Sequence, residues 1–522
     1  MRNRHHKLGI ALACAAAAFV VVGFLLPAQQ RPGPRLFQEV FTLVSSRFVD
    51  SLDVSALYEK AARGLVEELD DPYASLYSPD ELEDFTITHE GHYAGVGMIV
   101  EDQDGAAIVS RVFPNTPSER AGIRVGDQII ALDGESTRGW ELSRVANGLK
   151  GEPGTVVEVR LARPGAETSI DVRMTRAEIH IPAVPYATLL DDGAGYIPLL
   201  QFSESAAEEV EAAVRRLVDE GATGLVLDLR GNGGGILDEA IAIAGLFLPR
   251  GTPVARQWER VRSEMVYRSP AEPLAPDLPL VVLIDQWSAS ASEIVAGALQ
   301  DHDRALLIGA RSFGKGLVQS AYRLDGGYIL KMTTGKWYTP SGRSIHRERG
   351  EDGRLVQAPD SAAADSARPI FHTDGGRVVY GGGGIVPDIA VAPDTLPTTA
   401  REFVEAVVAR SQDVHLTLFD YAFELKDTVE PGFEVRPEWR DELYRRLQAR
   451  GVSVDREIYD RAAGYIDRML AERVARLAFG DAAAKRREIK DDAPLRRALE
   501  LLREGGTQRE LIARAEGVAS GG

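Results

Sequence analysis

Two short apolar runs, Gly224-Leu-Val-Leu227 and Leu280-Val-Val-Leu-Ile284, each pass through a turn into a helical pattern, and this constrains the fold more than any other feature. A run of four to eight apolar residues reads as a buried strand. After the first comes the glycine-rich turn Asp228-Leu-Arg-Gly-Asn-Gly-Gly-Gly235, then helical spacing from Leu237 to Phe247. After the second comes Ser288-Ala-Ser-Ala-Ser-Glu293, with Ile294, Val295, Ala298 and Leu299 at helical spacing. Gly195-Tyr-Ile-Pro-Leu-Leu200 followed by Ser203 to Asp219 repeats the alternation. Strands alternating with helices indicate α/β layering.

Each junction also carries chemistry. A small hydroxyl residue opening a helix sits where amides are free to bind an anion. A glycine-rich turn exposes backbone N–H groups that can donate to an oxyanion or a phosphate. The phosphate-loop Gly-Lys-Ser/Thr is absent, as is the spacing of a dinucleotide fingerprint. Ser290-x-x-Glu293 also matches a helix capping box, which would make the serine a cap. Farther on, Lys315 stands between glycines in Phe313-Gly-Lys-Gly316, and Gln319 follows. In a regular strand residues four apart are separated by about 13 Å. For Gln319 to touch Lys315 the chain must bend, and Gly314 and Gly316 permit it.

Taken together and in this order, the 228–235 turn, Ser288-Ala-Ser-Ala-Ser-Glu-Ile294 and Phe313-Gly-Lys-Gly-x-Val-Gln319 closely resemble the carboxyl-terminal processing peptidases. These are the tail-specific Ser-Lys proteases of peptidase family S41. The resemblance extends to Tyr73-Ala-Ser-Leu-Tyr-Ser-Pro-Asp80, Tyr338-Thr-Pro-Ser-Gly-Arg-Ser-Ile345 and the late Gly381-Gly-Gly-Gly-Ile-Val-Pro-Asp388, covering roughly residues 37 to 395. It implies Ser290 as nucleophile, Lys315 as general base and Gln319 as the residue orienting the lysine. The implied oxyanion donors are the Ala291 amide and one amide of the Gly233/Gly234 turn. Asp301 falls on a position the family fills with Asp and is read as structural. The implied fold is a crotonase/ClpP-like spiral protease core. The chemistry is coherent: burial disfavours a charged lysine, and a neutral Lys315 could take the serine proton and return it to the leaving amine.

Histidine supplies no better alternative. His89-Glu90-Gly91-His92 has one residue too few between its ligands for a zinc protease helix, and His302 is read as a surface residue. No metal and no cofactor are expected.

Residues 86–176 resemble a PDZ domain, through Tyr93-Ala-Gly95-Val-Gly97-Met98, Ala107 to Val112, Pro114-Asn-Thr-Pro117, Ile123 to Gly134 and Val156 to Ala162. Such domains add a peptide as an extra strand and capture its C-terminal carboxylate with backbone amides. Gly95, Val96, Gly97 and Met98 occupy the place of that carboxylate loop, and Leu142, Val145, Ala146 and Leu149 form an apolar helix face for the groove. The plain alternative is a module that only packs on the core.

Met1 to Lys7 is basic, and Leu8 to Leu26 carries no charge, with Cys14 the single cysteine. Residues 1–28 are read as an N-terminal membrane anchor, with cleavage as a signal peptide the alternative, and the remainder as exported to the cell-envelope or periplasmic side. Residues 30–85 form an N-terminal helical region, 177–395 the protease core with a polar insertion at about 348–378, and 396–522 a helical C-terminal extension. That extension is a candidate for self-association into a homo-oligomer, for shielding the site or for binding a partner. A net charge of −18 argues against nucleic acid as a partner. Protein or peptide substrates with free C-termini are the expected partners.

Three functions follow: an exported Ser-Lys endopeptidase directed to C-terminal tails; a non-catalytic PDZ adaptor on a protease-like core; an acyl-CoA enzyme sharing only the oxyanion turn. The intact Ser290, Lys315 and Gln319 argue against the second, and the PDZ module against the third.

Overall fold

The computed structural model describes residues 33–79, 81–82, 91–103, 105–163, 166, 168–261, 264–348 and 368–519. The N-terminal apolar segment, His89 and most of the polar insertion lie outside the described residues. The described helices include none long and apolar enough to cross a membrane.

The chain divides into two compact units, 1–76 with 330–332 and the remainder. The smaller contains α1 (Pro34–Arg47) and α2 (Val54–Glu67). Asp53 caps α2 by accepting the Ser55 N–H, and Phe41 stacks on Tyr58 with centroids 4.1 Å apart.

In the larger unit, β1 (His92–Gly95) pairs antiparallel with β7 (Ala177–His180), and everything between them is the PDZ module. Its sheet runs β2 (Met98–Gln103), β3 (Ala106–Val112), β4 (Gln128–Leu132), β5 (Val156–Ala162), β6 (Ile170–Thr175), with β2 at an edge. The helix α3 (Leu142–Leu149) buries Val145 and Leu149 in the core of this module. β1 and β7 thus form a stem through which the module enters and leaves the core.

The core sheet has the order β8 (Thr188–Leu189), β9 (Ala194–Pro198), β10 (Gly224–Asp228), β13 (Leu280–Ile284), β14 (Leu306–Gly309), β17 (Ile389–Ala390). From β9 to β17 the strands are parallel. β9, β10 and β13 are buried at every residue, which explains their unbroken apolar runs: both faces are covered. On one face pack α4 (Ala206–Asp219), α5 (Leu237–Gly245) and α6 (Ala291–Asp301). A second sheet is built from β11 (Pro253–Glu259), β12 (Met265–Arg268), β15 (Leu317–Arg323) and β16 (Ile329–Tyr338).

The C-terminal helices divide by packing. α7 (Thr398–Val407), α8 (Ser411–Leu425), α9 (Pro437–Ala449) and α10 (Ala463–Phe479) share their own apolar cluster. After α11 (Asp481–Glu488), α12 (Ala493–Arg503) and α13 (Gln508–Ala519) cover the second face of the core sheet, setting Leu495, Leu499, Leu502, Leu511 and Ile512 against Tyr196, Val226 and Leu283. The larger helices also meet the PDZ sheet: Gln412 donates to the Asp102 carbonyl at 3.0 Å, and a cavity of about 770 Å³ lies between Gln128 and Phe423.

Candidate active site

The parallel pairing of β10 and β13 brings their carboxyl ends side by side, Asp228 opposite Leu283. Two turns therefore emerge next to each other at the edge where open parallel sheets place their ligands. They are cross-linked by main chain and side chain. Gly231 N–H donates to Asp285 Oδ1 at 3.0 Å, Ala289 N–H to the Asn232 carbonyl at 3.0 Å, and Ser288 Oγ to the Leu229 carbonyl at 2.8 Å.

The three serines are physically different. Ser288 and Ser292 are fully buried and donate to the Leu229 and Asn232 carbonyls. Ser290 is only half-buried and caps α6 with φ 56° and ψ −112°, where an ordinary cap is extended. A non-glycine residue there is strained, and such strain concentrates at functional sites. The capping box is present: Glu293 accepts the Ser290 N–H at 2.9 Å. Glu293 N–H also donates to the Ser290 carbonyl at 2.9 Å.

The 231–235 turn lies directly against Ser290. A Cβ on Gly234 would sit 2.9 Å from Ser290 Cβ and 2.7 Å from the Ala289 carbonyl oxygen, so only glycine fits. Gly234 N–H is spent on Asn232 Oδ1 at 2.9 Å. By contrast, neither Gly233 N–H nor Ala291 N–H has an acceptor among the described residues.

Glu293 does more than its capping pattern suggests. Its carboxylate is completely buried and accepts from four donors: Ser290 N–H at 2.9 Å, Lys315 N–H at 2.8 Å, Gly314 N–H at 2.6 Å and Ser312 Oγ at 2.5 Å. One side chain thus ties the main chain of the serine to that of the lysine. Burial raises its pKa, and these hydrogen bonds pull the other way. The spacing 290/293 is visible in sequence as a cap; the bonds to 312–315 are tertiary and carry no local signal.

Lys315 precedes β15 in an irregular segment. Gly314, at φ 91°, lets the segment approach Gly384 N and Arg347, where a Cβ would lie at 3.1 and 2.9 Å. Trp337 Nε1 holds the Lys315 carbonyl at 3.0 Å. Gln319 lies on β15, its Nε2 donating to Thr333 Oγ1 at 3.3 Å. Asp301 is buried against Arg343 at 2.7 Å and receives Ser341 N–H at 2.9 Å, a structural role. The surface reading of His302 is corrected. Its side chain is 12% exposed, with Nδ1 2.7 Å from Asp374 and Nε2 2.8 Å from the Pro253 carbonyl. It is held as a structural link because α6 delivers it into the gap beside β11.

The sequence profile of Peptidase family S41 matches residues 193–352, and that of the PDZ domain residues 108–163. The carboxy-terminal processing protease CtpA of Bacillus subtilis (strain 168) is 33% identical over 324 residues, 62% of this chain and 69% of that protein. The chain belongs to peptidase family S41. A carboxy-terminal-processing protease of Bartonella bacilliformis is 35% identical over 313 residues, 59% of this chain and 71% of that protein. Among solved structures, a photosystem II D1 C-terminal processing protease is 27% identical with a TM-score of 0.37, covering 70% of this chain and 94% of that one. This S41 member is therefore a serine-type peptidase with a PDZ domain, on the α/β core with helical ends that its sequence implies.

In the PDZ loop of this S41 peptidase, Gly95 to Met98 connect β1 to β2, and Gly97 has φ 85°. The phenol of Tyr93 lies beside the Gly97 and Met98 amides, and burial holds its pKa above the usual phenol range. Two of the amides read as carboxylate donors thus face a hydroxyl of the same chain. Among the described residues no group of three or more His, Cys, Asp or Glu is arranged to hold a metal ion.

Proposed function

We propose that this peptidase works through a Ser290–Lys315 dyad and selects its substrates by capturing their C-terminal carboxylate on the PDZ loop. The observation that carries the dyad is the Glu293 carboxylate, which binds the Ser290 and Lys315 amides within 2.9 Å of one buried side chain. Ser290 Oγ attacks the scissile carbonyl while the neutral Lys315 amine accepts its proton. The developing oxyanion takes hydrogen bonds from Ala291 N–H and Gly233 N–H, two amides with no acceptor among the described residues. Collapse expels the amine, which receives the proton from Lys315. The acyl-enzyme is then hydrolysed by a water that Lys315 deprotonates. Gln319 orients the lysine.

The edge strand β2 offers an unpaired side to a substrate tail, and the Gly95–Met98 amides meet its carboxylate in place of the Tyr93 phenol, which faces two of them in the free chain. The basic Met1–Lys7 followed by the apolar Leu8–Leu26 supports an exported enzyme held at the membrane by its N-terminal segment, on the cell-envelope side.

The test compares one peptide with an apolar C-terminus as free acid and as amide. The free acid is expected to bind and be cut at least about tenfold better, the equivalent of one charge-assisted contact. Equal binding and cleavage of the two forms refute carboxylate capture, whatever Ser290→Ala does to turnover.

A further inference from the structure

Arg230 stands between the end of β10 and the turn proposed to supply the oxyanion amide. Its guanidinium is gripped by two carboxylates. Asp228 takes Nε at 2.9 Å and Nη2 at 2.6 Å; Asp492, 262 residues away, takes Nη1 at 2.7 Å and Nη2 at 2.8 Å. Asp492 also accepts Lys485 Nζ at 2.8 Å from α11 and caps α12 through Leu495 N–H at 3.1 Å. Asp228 receives the Tyr196 hydroxyl at 2.7 Å and the Arg230 N–H at 3.0 Å. The side chains of Asp228, Asp492 and Lys485 are 8, 11 and 9% exposed, and that of Arg230 20%.

Arg230 is shared by Asp228 and Asp492, and Lys485 by Asp492 and the more exposed Glu488 at 3.6 Å. Removing the Asp492 charge leaves Arg230 with Asp228 alone and Lys485 with Glu488 alone, and an under-compensated buried charge is costly. The turn beyond Arg230 consists largely of glycine and has little stiffness of its own. Its position is set by its anchors: Asp285 on Gly231, the Asn232 amide on the Leu199 carbonyl and on Gly234, Phe202 N–H on the Gly234 carbonyl, Ala289 and Ser292 on the Asn232 carbonyl, and the Asp228–Arg230 pair at its start.

We infer that the C-terminal segment is a working part of the peptidase site: Asp492 is a positioning residue that, through Arg230, sets the oxyanion turn. This rests on the reading of that turn given above. α11 and α12 then serve the reaction itself as well as covering the sheet.

The test uses the full chain with Asp492→Asn, which keeps the shape and the helix cap but removes the charge. The kcat for a fluorogenic peptide with a free apolar C-terminus should fall on the order of 10- to 100-fold, as expected for a misplaced catalytic donor. The KM, the PDZ affinity for a non-cleavable tail and the apparent pKa of the pH–rate profile should stay unchanged. A peptidyl boronate, whose adduct on Ser290 puts an oxygen in the oxyanion position, should bind more weakly by a similar factor. Asp492→Glu, which restores the charge, should recover part of the rate. Should Asp492→Asn not fold, Lys485→Gln loosens Asp492 without touching Arg230 and should lower kcat by a smaller factor, again with KM unchanged. Wild-type kcat and boronate affinity in a folded Asp492→Asn, or in Lys485→Gln where the former does not fold, overturn the inference. A rate loss matched by an equal loss of folded protein overturns it as well. Activity surviving in Ser290→Ala would instead refute the underlying site reading.

Discussion

At Ser290 the main chain adopts φ 56° and ψ −112°, the geometry of the first central residue of a type II′ turn, which glycine alone adopts without cost. The strain is of order 1–3 kcal/mol and is held by the bonds of Glu293 and the close packing of Gly234. Ser290→Ala should abolish turnover, since it removes the proposed nucleophile and keeps the strain. Ser290→Gly should be equally inactive yet more stable than Ser290→Ala by about 1 kcal/mol in chemical denaturation. Equal stability would show that no strain resides there. Ser288→Ala and Ser292→Ala should lose about 1 kcal/mol, because each removes one buried hydrogen bond from a carbonyl that keeps a main-chain donor, and should still cleave once folded. Lys315→Arg should be inactive at every pH, as a guanidinium stays protonated, whereas the wild-type rate should rise with pH as the amine is freed. An active Arg variant refutes the dyad.

At the scale of elements, the site is two strand ends, one helix start and one irregular segment, joined by side chains from elsewhere. Glu293 is the joint between α6 and the Lys315 segment. Glu293→Gln replaces an acceptor of four donors by an amide whose NH₂ must face N–H groups. It should cost about 3 kcal/mol or more of stability and most of the activity, measured by thermal melts beside peptide hydrolysis. The joint between α12 and the 231–235 turn is electrostatic. Arg230 and Lys485 hold the Asp492 carboxyl far below the usual range despite its burial. A depressed carboxylate pKa contributes stability that is present above the unfolded value of about 3.9 and is lost as pH falls below it. The melting temperature of Asp492→Asn should therefore lie below wild type at pH 7, and the gap should begin to narrow below about pH 4 and close only as pH falls through the depressed folded pKa. A gap independent of pH would show that the charge is not what stabilises the contact.

Across the whole larger unit, insertion and extension play opposite parts. The PDZ module hangs on the β1–β7 stem, whose register pairs Gly95 with Ala177. Replacing residues 96–176 by a two-residue turn closes that stem as a hairpin. The shortened chain should fold and still cut unfolded protein, while losing its preference for a free C-terminal acid over an amide. Retained preference would place tail recognition elsewhere. Removal of residues 493–522 should have the opposite effect. It strips Leu495, Leu499, Leu502, Leu511 and Ile512 from the sheet, each worth roughly 1.5–3 kcal/mol when buried. That chain should not fold, whereas a dispensable appendage would leave the melting curve unchanged.

The sequence by itself determined the α/β alternation and the PDZ module, and through its resemblance it proposed Ser290, Lys315 and Gln319 as site residues. Buried parallel strands need continuous apolar runs, tight strand-to-helix turns need glycine, and the motifs keep their order along the chain. It left the three serines of 288–292 distinguished only by resemblance. The structure separates them by burial: Ser288 and Ser292 are committed to carbonyls and Ser290 is strained at the surface of the turn. Likewise, Gly233 and Gly234 are equivalent as letters, and only the Asn232 side chain consumes one amide and spares the other. His302 was misread because its polar neighbours suggest solvent, while its ring is held between Asp374 and Pro253, residues remote in sequence. The C-terminal helices showed amphipathic spacing without a target. Which surface they cover, and that Asp492 reaches Arg230 across 262 residues, depends on the packing of the second sheet face, and no local pattern encodes a contact between such distant positions.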